Sequence, residues 1–520
     1  MKRRILKTSL LLVLFAAYAL AQDVASFEKR VTVKKLDNGL TIVICERPEA
    51  PVFSFFTLVD AGSVQDPMRA TGLAHMFEHM AFKGTDTIGT KDYAAEKPAL
   101  EKVERTYAAY IAERDKRVGQ NPEKLKELEK AWQDATKEAD SYVIPNQFGK
   151  IVEQNGGEDM NAFTNYDETA YHYSFPTNRL ELWAYLESDR FLHPVMREFY
   201  KERNVVIEER RMRTDSNPFG RLLEQFTEEA FTAHPYHRPT IGWISDLNHF
   251  SATDAQRFFD TYYIPSNMVV AVSGDIKAAE AMPILEKYFS RLPSRPQPDE
   301  ATTAEPPQNS ERRVVLKDLS QPIYIEGYHR PDYRSKDDAV FDAISDLMSE
   351  GRTSRLYRAL VRDKKIASYS EGITGYPGVK YPHLFAFLAV PLPGHKADEM
   401  AGAIHAEIDR LKKEDISDDE LKMIKTRAKA NLIRGLADNE GLATQLATYQ
   451  TRYGDWRELF RSVDRIDQVT KADIRRVANE VFTDTNRTVG VIENSRAGGE
   501  GHGGGEHGGG SGPSDQGGVQ

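Results

Sequence analysis

Cysteine is almost absent from this chain: Cys45 is the only one among 520 residues. An intrachain disulfide is therefore excluded, and stability must come from packing even in an oxidising compartment. A strong charge of either sign is also lacking, since the formal net charge is -10, and no basic stripe indicates nucleic acid as a partner. What remains is an ordinary globular composition, and the length of the chain predicts at least two domains.

The first 21 residues have the pattern of a secretory signal peptide. Four basic residues precede a short apolar run over residues 10–15, and the small-residue motif Ala19-Leu20-Ala21 follows. An N-terminal membrane anchor is the alternative, but the apolar run is short for a helix that spans a bilayer. We therefore predict cleavage after Ala21, export across the inner membrane to the periplasm, and no stable membrane span in the mature protein.

Composition divides the mature chain into segments. Strand-like and helical patterns occur over residues 28–293, which we predict to be an N-terminal domain, and again over 312–493, a C-terminal domain. Residues 294–311, rich in Pro, Gln and Ser, are predicted to link them, and the glycine-rich tail 494–520 is predicted to be disordered. Residues 91–146, rich in Glu, Lys and Ala, predict an inserted αα-hairpin, which we interpret as a solvated excursion without a chemical role.

The second half of the chain partly repeats the first. Residues 254–272 align without gaps on residues 473–491, at a constant offset of 219. In both segments a helical pattern that begins at an aspartate runs into an apolar strand beside an asparagine, Asn267 or Asn486. Together with the linker, this repeat predicts an α+β protein of two homologous α/β-roll domains that face each other across a cleft. Each domain is expected to be a mixed sheet with helices packed on one face.

One motif carries the candidate chemistry, within residues 71–85, TGLAHMFEHMAFKGT. On a helix, His75 and His79 project from one face a turn apart, which is the spacing at which two imidazoles can share one metal ion. Glu78 lies on an adjacent part of that face, where it can accept a proton from a metal-bound water. The alternative is a pair of packed histidines, but two buried histidines beside a carboxylate need a compensating partner, and a metal is the simplest one.

A catalytic zinc site needs a third protein ligand. The segment 202–209, ERNVVIEE, offers Glu202 and Glu209 two turns apart on one helix face. Two acids on the apolar side of a helix are costly unless a cation meets them. Spacing alone leaves the choice between Glu208 and Glu209 open, and a solvated charged helix is the alternative.

Three motifs in order resemble the pitrilysin/insulinase family of inverzincin metallopeptidases. They are GLAHMFEHMAFKGT around the two histidines, NAFTNYDETAYHY at 161–173 after Gly156-Gly157, and ERNVVIEE at 202–209. The resemblance spans roughly residues 30–493, and it is closest to the two-domain branch that includes the mitochondrial processing peptidase and its bacterial relatives.

The resemblance implies a set of roles for these residues. His75, His79 and Glu209 would bind one Zn²⁺ ion per chain, and it is the resemblance that selects Glu209 over its neighbour. Glu78 would be the general base, and Glu202 would support the site from outside the ligand set.

The same resemblance places a substrate-binding strand at the cleft, formed by Asn161, Ala162, Phe163 and Thr164. An extended peptide would add to this strand edge to edge, so that binding rests on backbone hydrogen bonds and tolerates many sequences. In the second domain, LVRDKKIASY at 360–369 resembles the segment whose arginine and tyrosine reach the active site. Arg362 and Tyr369 hold those positions and would hydrogen-bond the substrate backbone or the tetrahedral oxyanion.

The chain departs from the family pattern in two places. The gap between the second histidine and the third ligand is longer than usual, because the hairpin at 91–146 lies within it. The second domain lacks a histidine motif of its own, and SEGRTSRLY at 349–357 occupies the corresponding region. His234 and His237 are a further candidate metal pair, but the flanking prolines favour a packed loop.

These patterns predict a zinc-dependent endopeptidase that encloses peptides or unfolded polypeptide segments between two domains. Two alternatives remain: a non-catalytic assembly or scaffold subunit with the same fold, and a catalytic subunit that requires a zinc-less partner chain. Because the histidine pair, the base, the distal acid and the Arg/Tyr pair all occur in one chain, a self-sufficient enzyme is favoured. We expect a homodimer, and a heterodimer with a zinc-less relative is the alternative.

Overall fold

A computed structural model describes residues 27–494. The strands are β1 (Val31–Lys35), β2 (Thr41–Glu46), β3 (Val52–Val59), β4 (Glu158–Thr164), β5 (Thr169–Pro176), β6 (Met268–Gly274), β7 (Arg312–Asp318), β8 (Ile323–Arg330), β9 (Ala367–Tyr376), β10 (His383–Pro391) and β11 (Arg487–Asn494). The α-helices are α1 (Leu73–Met80), α2 (Tyr93–Arg114), α3 (Pro122–Asp140), α4 (Gln147–Gln154), α5 (Leu180–Leu192), α6 (Phe199–Arg210), α7 (Pro218–Ala230), α8 (Ile244–Leu247), α9 (Ala252–Tyr262), α10 (Ala278–Phe289), α11 (Asp338–Ser349), α12 (Ala397–Lys413), α13 (Asp418–Gly435), α14 (Asn439–Tyr453), α15 (Glu458–Gln468) and α16 (Lys471–Val481).

The two ends of the chain carry predictions that the structure does not address. The predicted signal peptide at 1–21 and the predicted glycine-rich tail, apart from Asn494, lie outside the described residues. Between residues 27 and 494, no helix combines the length and the apolar character needed to cross a membrane.

Each half of the chain builds one mixed sheet. The first sheet has six strands in the order β1-β2-β6-β3-β5-β4, and the second has five in the order β7-β11-β8-β10-β9. In each sheet one pair is parallel, β2 with β6 and β7 with β11, and the other neighbours are antiparallel. Residues 296–309, in the predicted linker between the two sheets, form neither helix nor strand.

A constant spacing relates the two halves. The first residues of α9 and α16, and those of β6 and β11, lie 219 positions apart. The asparagine between helix and strand is bonded in the same way in both: Asn267 Nδ2 donates to carbonyls at the end of α9 (3.0 Å) and after β3 (3.1 Å), and Asn486 Nδ2 donates to carbonyls at the end of α16 (3.0 Å) and in β8 (2.9 Å). The prediction of two homologous domains with mixed sheets and helices is confirmed.

The core of the first half forms between one face of its sheet and the helices of the same half. Phe53 and Phe55, alternate residues of β3, both contact the fully buried Trp183 of α5, at ring-centroid distances of 5.5 and 4.8 Å. Helix α1 is buried in the same core, where Phe77 lies 4.3 Å from the ring of Tyr263. The apolar positions of α1 therefore fix its place in the fold, and its remaining face is available for the two histidines.

The opposite face of each sheet is covered by a helix from the other half. Leu442 and Leu446 of α14 pack against Val43, Cys45 and other apolar residues of the first sheet. In return, Leu222 and Phe226 of α7 pack against residues of the second sheet. The sequence predicted helices on one face of each sheet, and the structure adds a helix from the other half on the second face. This exchange of helices joins the two halves into one packed unit. Cys45 lies in this interface, where burial raises the pKa of its thiol to about 11.

The exchanged helix should be essential for stability. Leu446→Ala leaves a cavity between α14 and the first sheet, and we expect the free energy of unfolding to fall by about 2–5 kcal/mol in urea denaturation. Leu319→Ala removes the same atoms from a side chain that is 64% exposed, and it should change stability by less than about 0.5 kcal/mol. Equal losses in the free energy of unfolding for the two variants would contradict the packing of α14 on the first sheet.

Candidate metal centre

The start of α1 is held by a buried carboxylate. Asp66 accepts hydrogen bonds from the backbone N–H groups of Gly72 (2.7 Å) and Ala74 (2.9 Å), which have no partner within the helix. Gly72 has φ +92°, and a Cβ there would lie 2.7 Å from the carbonyl oxygen of Ile241, so only glycine fits. Burial raises the pKa of Asp66 to about 7 against the opposing effect of these hydrogen bonds. Asp66 is not among the residues predicted from the sequence, because it precedes the histidine motif by several residues.

Three side chains from two helices converge beside α1. His75 Nε2 lies 3.6 Å from Glu209 Oε1, and His79 Nε2 lies 3.4 Å from Glu209 Oε2. One ligand atom from each of the three residues lies within 4.8 Å of the other two. Ligands about 2.1 Å from a tetrahedral metal are separated by about 3.4 Å, so the spacing and the donor set of two imidazoles and one carboxylate fit a zinc ion.

The environments of the two histidines differ in their effect on metal ligation. Burial, reinforced by the neighbouring His79, lowers the pKa of His75 to about 4, so its imidazole is neutral. Burial also disfavours the charged form of His79, but hydrogen bonds with Glu202 and Glu209 outweigh it and raise its pKa to about 9. Since a metal competes with the proton on Nε2, binding must release that proton and should weaken at low pH. A hydrogen bond with His79 likewise keeps the pKa of Glu209 below its usual value.

Glu202 holds the far side of the His79 ring. Its Oε1 lies 3.0 Å from His79 Nδ1, and its Oε2 accepts from Lys83 Nζ at 2.5 Å. These two contacts outweigh burial and lower the pKa of Glu202 to about 2. With Nδ1 donating to this carboxylate, Nε2 of His79 is directed at Glu209, as a ligand requires. The structure therefore brings Glu202 to the position expected of a supporting residue, and Lys83 joins it.

Glu78 lies on the open side of the triad. Burial raises its pKa above the usual value, while a hydrogen bond with the Thr164 side chain acts against this. A carboxylate with a raised pKa is suited to take up and release a proton near neutral pH. Glu78 therefore stands between the candidate metal ligands and β4.

A cavity of about 440 Å³ opens next to the triad and reaches β4. Its walls comprise Glu78, His79, Phe82, Lys83, Val143, Ile144, Asn146, Met160, Asn161, Ala162, Glu198 and Glu202. Strand β4 is one of the two edge strands of the first sheet, and it pairs on one side with β5. Asn161 and Ala162 thus border the cavity, Thr164 is bonded to Glu78, and Phe163 contacts Phe56 at 6.1 Å.

The two residues expected from the second domain point elsewhere. Arg362 donates to the adjacent Asp363 at 2.6 Å, and the hydroxyl of Tyr369 bonds to Glu371. Both side chains are about half exposed, and the walls of the cavity beside the triad come from the first half. Their assignment to the active site stays a prediction.

The family described as Insulinase (Peptidase family M16) matches residues 41–114 and 130–243, which include both histidines and Glu209. The domain described as Peptidase M16 inactive domain matches residues 249–428. The chain belongs to the M16 family. The resemblance stated from the three motifs is thereby confirmed.

Relatives of similar length extend the match over most of the chain. The zinc protease PqqE of Helicobacter pylori is 29% identical over 94% of this chain and 97% of its own. A probable mitochondrial-processing peptidase subunit beta of Arabidopsis thaliana is 23% identical over 89% of this chain and 78% of its own. Among solved structures, a protease from H. pylori superposes with a TM-score of 0.73 at 28% identity, covering 89% of this chain and 99% of the other. The first half of the periplasmic protease PqqL from Escherichia coli gives a TM-score of 0.64 at 18% identity over 90% and 92% of the two chains.

The helical hairpin of this M16 member takes part in the site. Tyr107 of α2 accepts a hydrogen bond from Arg203 Nη1 at 2.7 Å, and Trp132 of α3 packs on Tyr200 at 5.3 Å. Arg203 and Tyr200 belong to α6, the helix that carries Glu202 and Glu209. The interpretation of 91–146 as a solvated excursion is therefore wrong for its inner face. The signal in the sequence was a set of aromatic residues, Tyr107, Tyr110 and Trp132, within an otherwise polar hairpin.

The second candidate histidine pair is a packed loop, as expected. His234 is 2% exposed, and its Nδ1 accepts a hydrogen bond from the backbone N–H of Tyr236 at 3.2 Å. Burial lowers the pKa of His234 to about 4. His237 Nδ1 bonds to the carbonyl oxygen of His234 at 2.9 Å, so each ring has a structural contact in the loop.

The contact between the hairpin and α6 can be tested by removing a single hydroxyl group, that of Tyr107. Tyr107→Phe removes the nearer of two acceptors of the buried Arg203 guanidinium and leaves only the Phe250 carbonyl, at 3.4 Å. We therefore expect the free energy of unfolding to fall by about 1–3 kcal/mol. Tyr110→Phe is the matched control on the same helix, because Tyr110 contributes the face of its ring to Trp132. Chemical denaturation compares the two variants, and an equal effect would argue against a specific role for the Tyr107 hydroxyl.

Proposed function

We propose that this protein is a zinc-dependent endopeptidase that hydrolyses peptides or unfolded polypeptide segments. The observation that carries the proposal is the convergence of His75, His79 and Glu209 beside the half-buried Glu78 and an open edge strand. Membership of the M16 family, whose relatives here are named zinc proteases, supports it. One zinc ion per chain is proposed, because the second half offers no equivalent histidine pair in its described residues.

The residues of the chain divide the chemistry among them. A bound zinc ion supplies Lewis-acid polarisation and lowers the pKa of water. Glu78 accepts a proton from the attacking water and returns it to the departing amine, a role for which its raised pKa is suited. Glu202 would accept the Nδ1–H of His79, so that the proton released when zinc binds is the one on Nε2.

The edge strand indicates the form of the substrate. A peptide that adds to β4 must present its own backbone as an extended strand, which folded proteins rarely offer. The cavity beyond it has apolar walls from Phe82, Val143, Ile144 and Met160, next to the paired charges of Lys83 and Glu202. A substrate that pairs with β4 through its backbone and places apolar side chains in the cavity would be an unfolded segment. Binding of this kind supports cleavage with modest sequence preference.

Arg362 and Tyr369 are the parts of the proposal that the site as it stands does not include. Arg362 pairs with the exposed Asp363, and Tyr369 bonds to Glu371; the first of these contacts is a surface ion pair and is weak. We propose that the two side chains leave these partners when a substrate binds and then contact the peptide backbone and the developing oxyanion. Action in the periplasm as a homodimer is part of the proposal, and the periplasmic PqqL among the structural neighbours supports the location.

A scaffold subunit is the second candidate, because the C-terminal half matches a domain described as inactive. The two candidates differ in turnover. A scaffold does not cleave peptides, whereas the enzyme cleaves as a purified single chain. A protein that cleaves only after addition of a zinc-less relative would support the two-chain alternative.

The base can be tested by an isosteric change. We expect Glu78→Gln to lower the cleavage of an unstructured peptide library by about 10²–10⁴-fold, because the amide cannot accept the proton of water. Mass spectrometry follows the products, and atomic absorption checks that bound zinc is retained. Glu208→Gln, on the exposed side of α6, is the control and should retain activity. Cleavage by Glu78→Gln at the wild-type rate would falsify the mechanism.

The support of His79 can be tested through metal affinity. We expect Glu202→Gln to weaken zinc binding by about 10–100-fold in a competition with a chelator, because the amide no longer stabilises the required ring orientation and basicity. Glu208→Gln again serves as the matched control. Unchanged zinc affinity in Glu202→Gln would contradict a role for Glu202 in supporting the His79 ring.

A further inference from the structure

Glu209 has a further partner besides the two histidines. Arg213, in the π-helical turn Arg211–Asp215 that continues α6, places its Nη1 2.7 Å from Glu209 Oε1. Its side chain is 73% exposed, and it makes no other hydrogen bond or ion pair within residues 27–494. Since a guanidinium has five N–H donors, most donors of Arg213 are free at the edge of the metal centre.

Arg213 and the apolar cavity lie on opposite sides of the triad. The oxygen of Glu209 that Arg213 contacts, Oε1, is also the one near His75, 3.6 Å from its Nε2. The other oxygen, Oε2, lies 3.4 Å from Nε2 of His79. Among the described residues, His79 borders the cavity and His75 does not. Burial is the main influence on the pKa of Glu78, and the nearby positive charge of Arg213 is among those that act against it.

Strand β4 leads from the cavity toward the reacting groups. Residues 160–162 border the cavity, and Thr164, the last residue of the strand, is bonded to Glu78. Because a strand advances by about 3.3 Å per residue, an extended peptide of a few residues paired with β4 spans both places. One flank of such a peptide would lie in the cavity, and the other would leave it on the side of Arg213.

The charges of the metal centre leave Arg213 able to take a new anionic partner. Ligating histidines are neutral, so the triad would offer a divalent ion only one negative charge, that of Glu209. When this carboxylate is shared with zinc, its attraction for Arg213 falls, because the two cations compete for the same oxygen atoms. The pair is exposed and therefore weak already. Lys83, by contrast, is held by Glu202 at 2.5 Å.

We propose that Arg213 binds a carboxylate of the substrate, on the flank of the scissile bond opposite the apolar cavity. The inference rests on the proposed endopeptidase function and adds a substrate class to it: segments with an apolar residue on one side of the cut and an acidic group on the other. The carboxylate belongs to an Asp or Glu side chain, or to the C-terminus of a short peptide. Arginine suits this role, because its planar fork of donors matches the two oxygen atoms of a carboxylate.

The contact can be measured without turnover in the zinc-loaded Glu78→Gln protein. The probes are peptides of about nine residues with blocked ends, built from Ala and Thr around one Leu, with one Asp at successive positions on either side of the Leu. Fluorescence anisotropy should show at least one Asp peptide binding about three- to tenfold more tightly than its Asn counterpart, and added salt should reduce the difference. An Asn peptide with a free C-terminal carboxylate tests the second source of the anion.

Matched arginine variants separate a specific contact from a general effect of charge. In the Glu78→Gln background, Arg213→Gln should abolish the preference for Asp over Asn, and Arg213→Lys, which keeps the charge, should retain part of it. Arg211→Gln removes the same charge from a side chain that is 66% exposed and pairs with Glu208 at 3.4 Å, and it should keep the whole preference. Atomic absorption of each variant ensures that only proteins with equal zinc content are compared.

Support for the proposal is tighter binding of an Asp peptide or of the free-carboxylate peptide that is lost in Arg213→Gln and kept in Arg211→Gln. The proposal is overturned if the Asp, Asn and free-carboxylate peptides bind alike, if none of them binds, or if the Arg213 variants keep the full preference. Turnover of the same peptides by the wild-type protein is measured separately. Binding that depends on Arg213 without any cleavage would contradict the peptidase function and not the carboxylate contact.

Discussion

The contact between α1 and α6 is the constraint on which the site depends. Two histidines on one helix can orient a metal, but the third ligand lies 130 positions further along the chain, on a helix with its own packing requirements. Helix α1 is fixed by its apolar face and by the carboxylate of Asp66 at its start. Helix α6 is fixed from behind by the hairpin and in front by the pairing of Glu202 with His79 and Lys83. Only when both helices are held does a carboxylate meet two imidazoles at about 3.5 Å.

Duplication explains why the second half keeps the architecture but not the metal. Each sheet needs a cover on both faces, and each receives one from the other half through α7 or α14. This packing requirement concerns apolar residues and does not constrain the metal ligands. Helices α6 and α13 begin 219 positions apart, and α13 carries Ala428 where α6 carries Glu209, while α14 still packs on the first sheet. The residues that hold the fold together are thus different from those that would hold the metal.

Much of the fold and most of the metal centre could be predicted from the sequence, for a physical reason. The two histidines and Glu78 lie within one helical turn, so their spacing already defines a geometry. The repeat could be recognised because helix and strand are joined by an asparagine with the same bonds in each half. Asp66, Lys83 and the exchange of α7 and α14 could not be found in this way, because they depend on contacts between segments distant in the chain. The choice of Glu209 over Glu208 needed a family resemblance, and the structure shows why: Glu208 points to solvent and pairs with Arg211.

The hairpin shows how a long insertion can enter an active site without disturbing it. Its two ends are adjacent in space, because Lys91 N–H donates to Tyr142 O at 2.8 Å and Ile144 N–H donates to Gly89 O at 2.9 Å. An insertion between neighbouring points adds little strain to the parent fold, and its cost in loop closure grows slowly with length. Once anchored there, the hairpin necessarily lies against α6, and the residues that close it, Val143 and Ile144, necessarily border the cavity. A change in the hairpin therefore acts on ligand position and on substrate space at once, which makes this insertion a place where metal affinity and specificity can vary together.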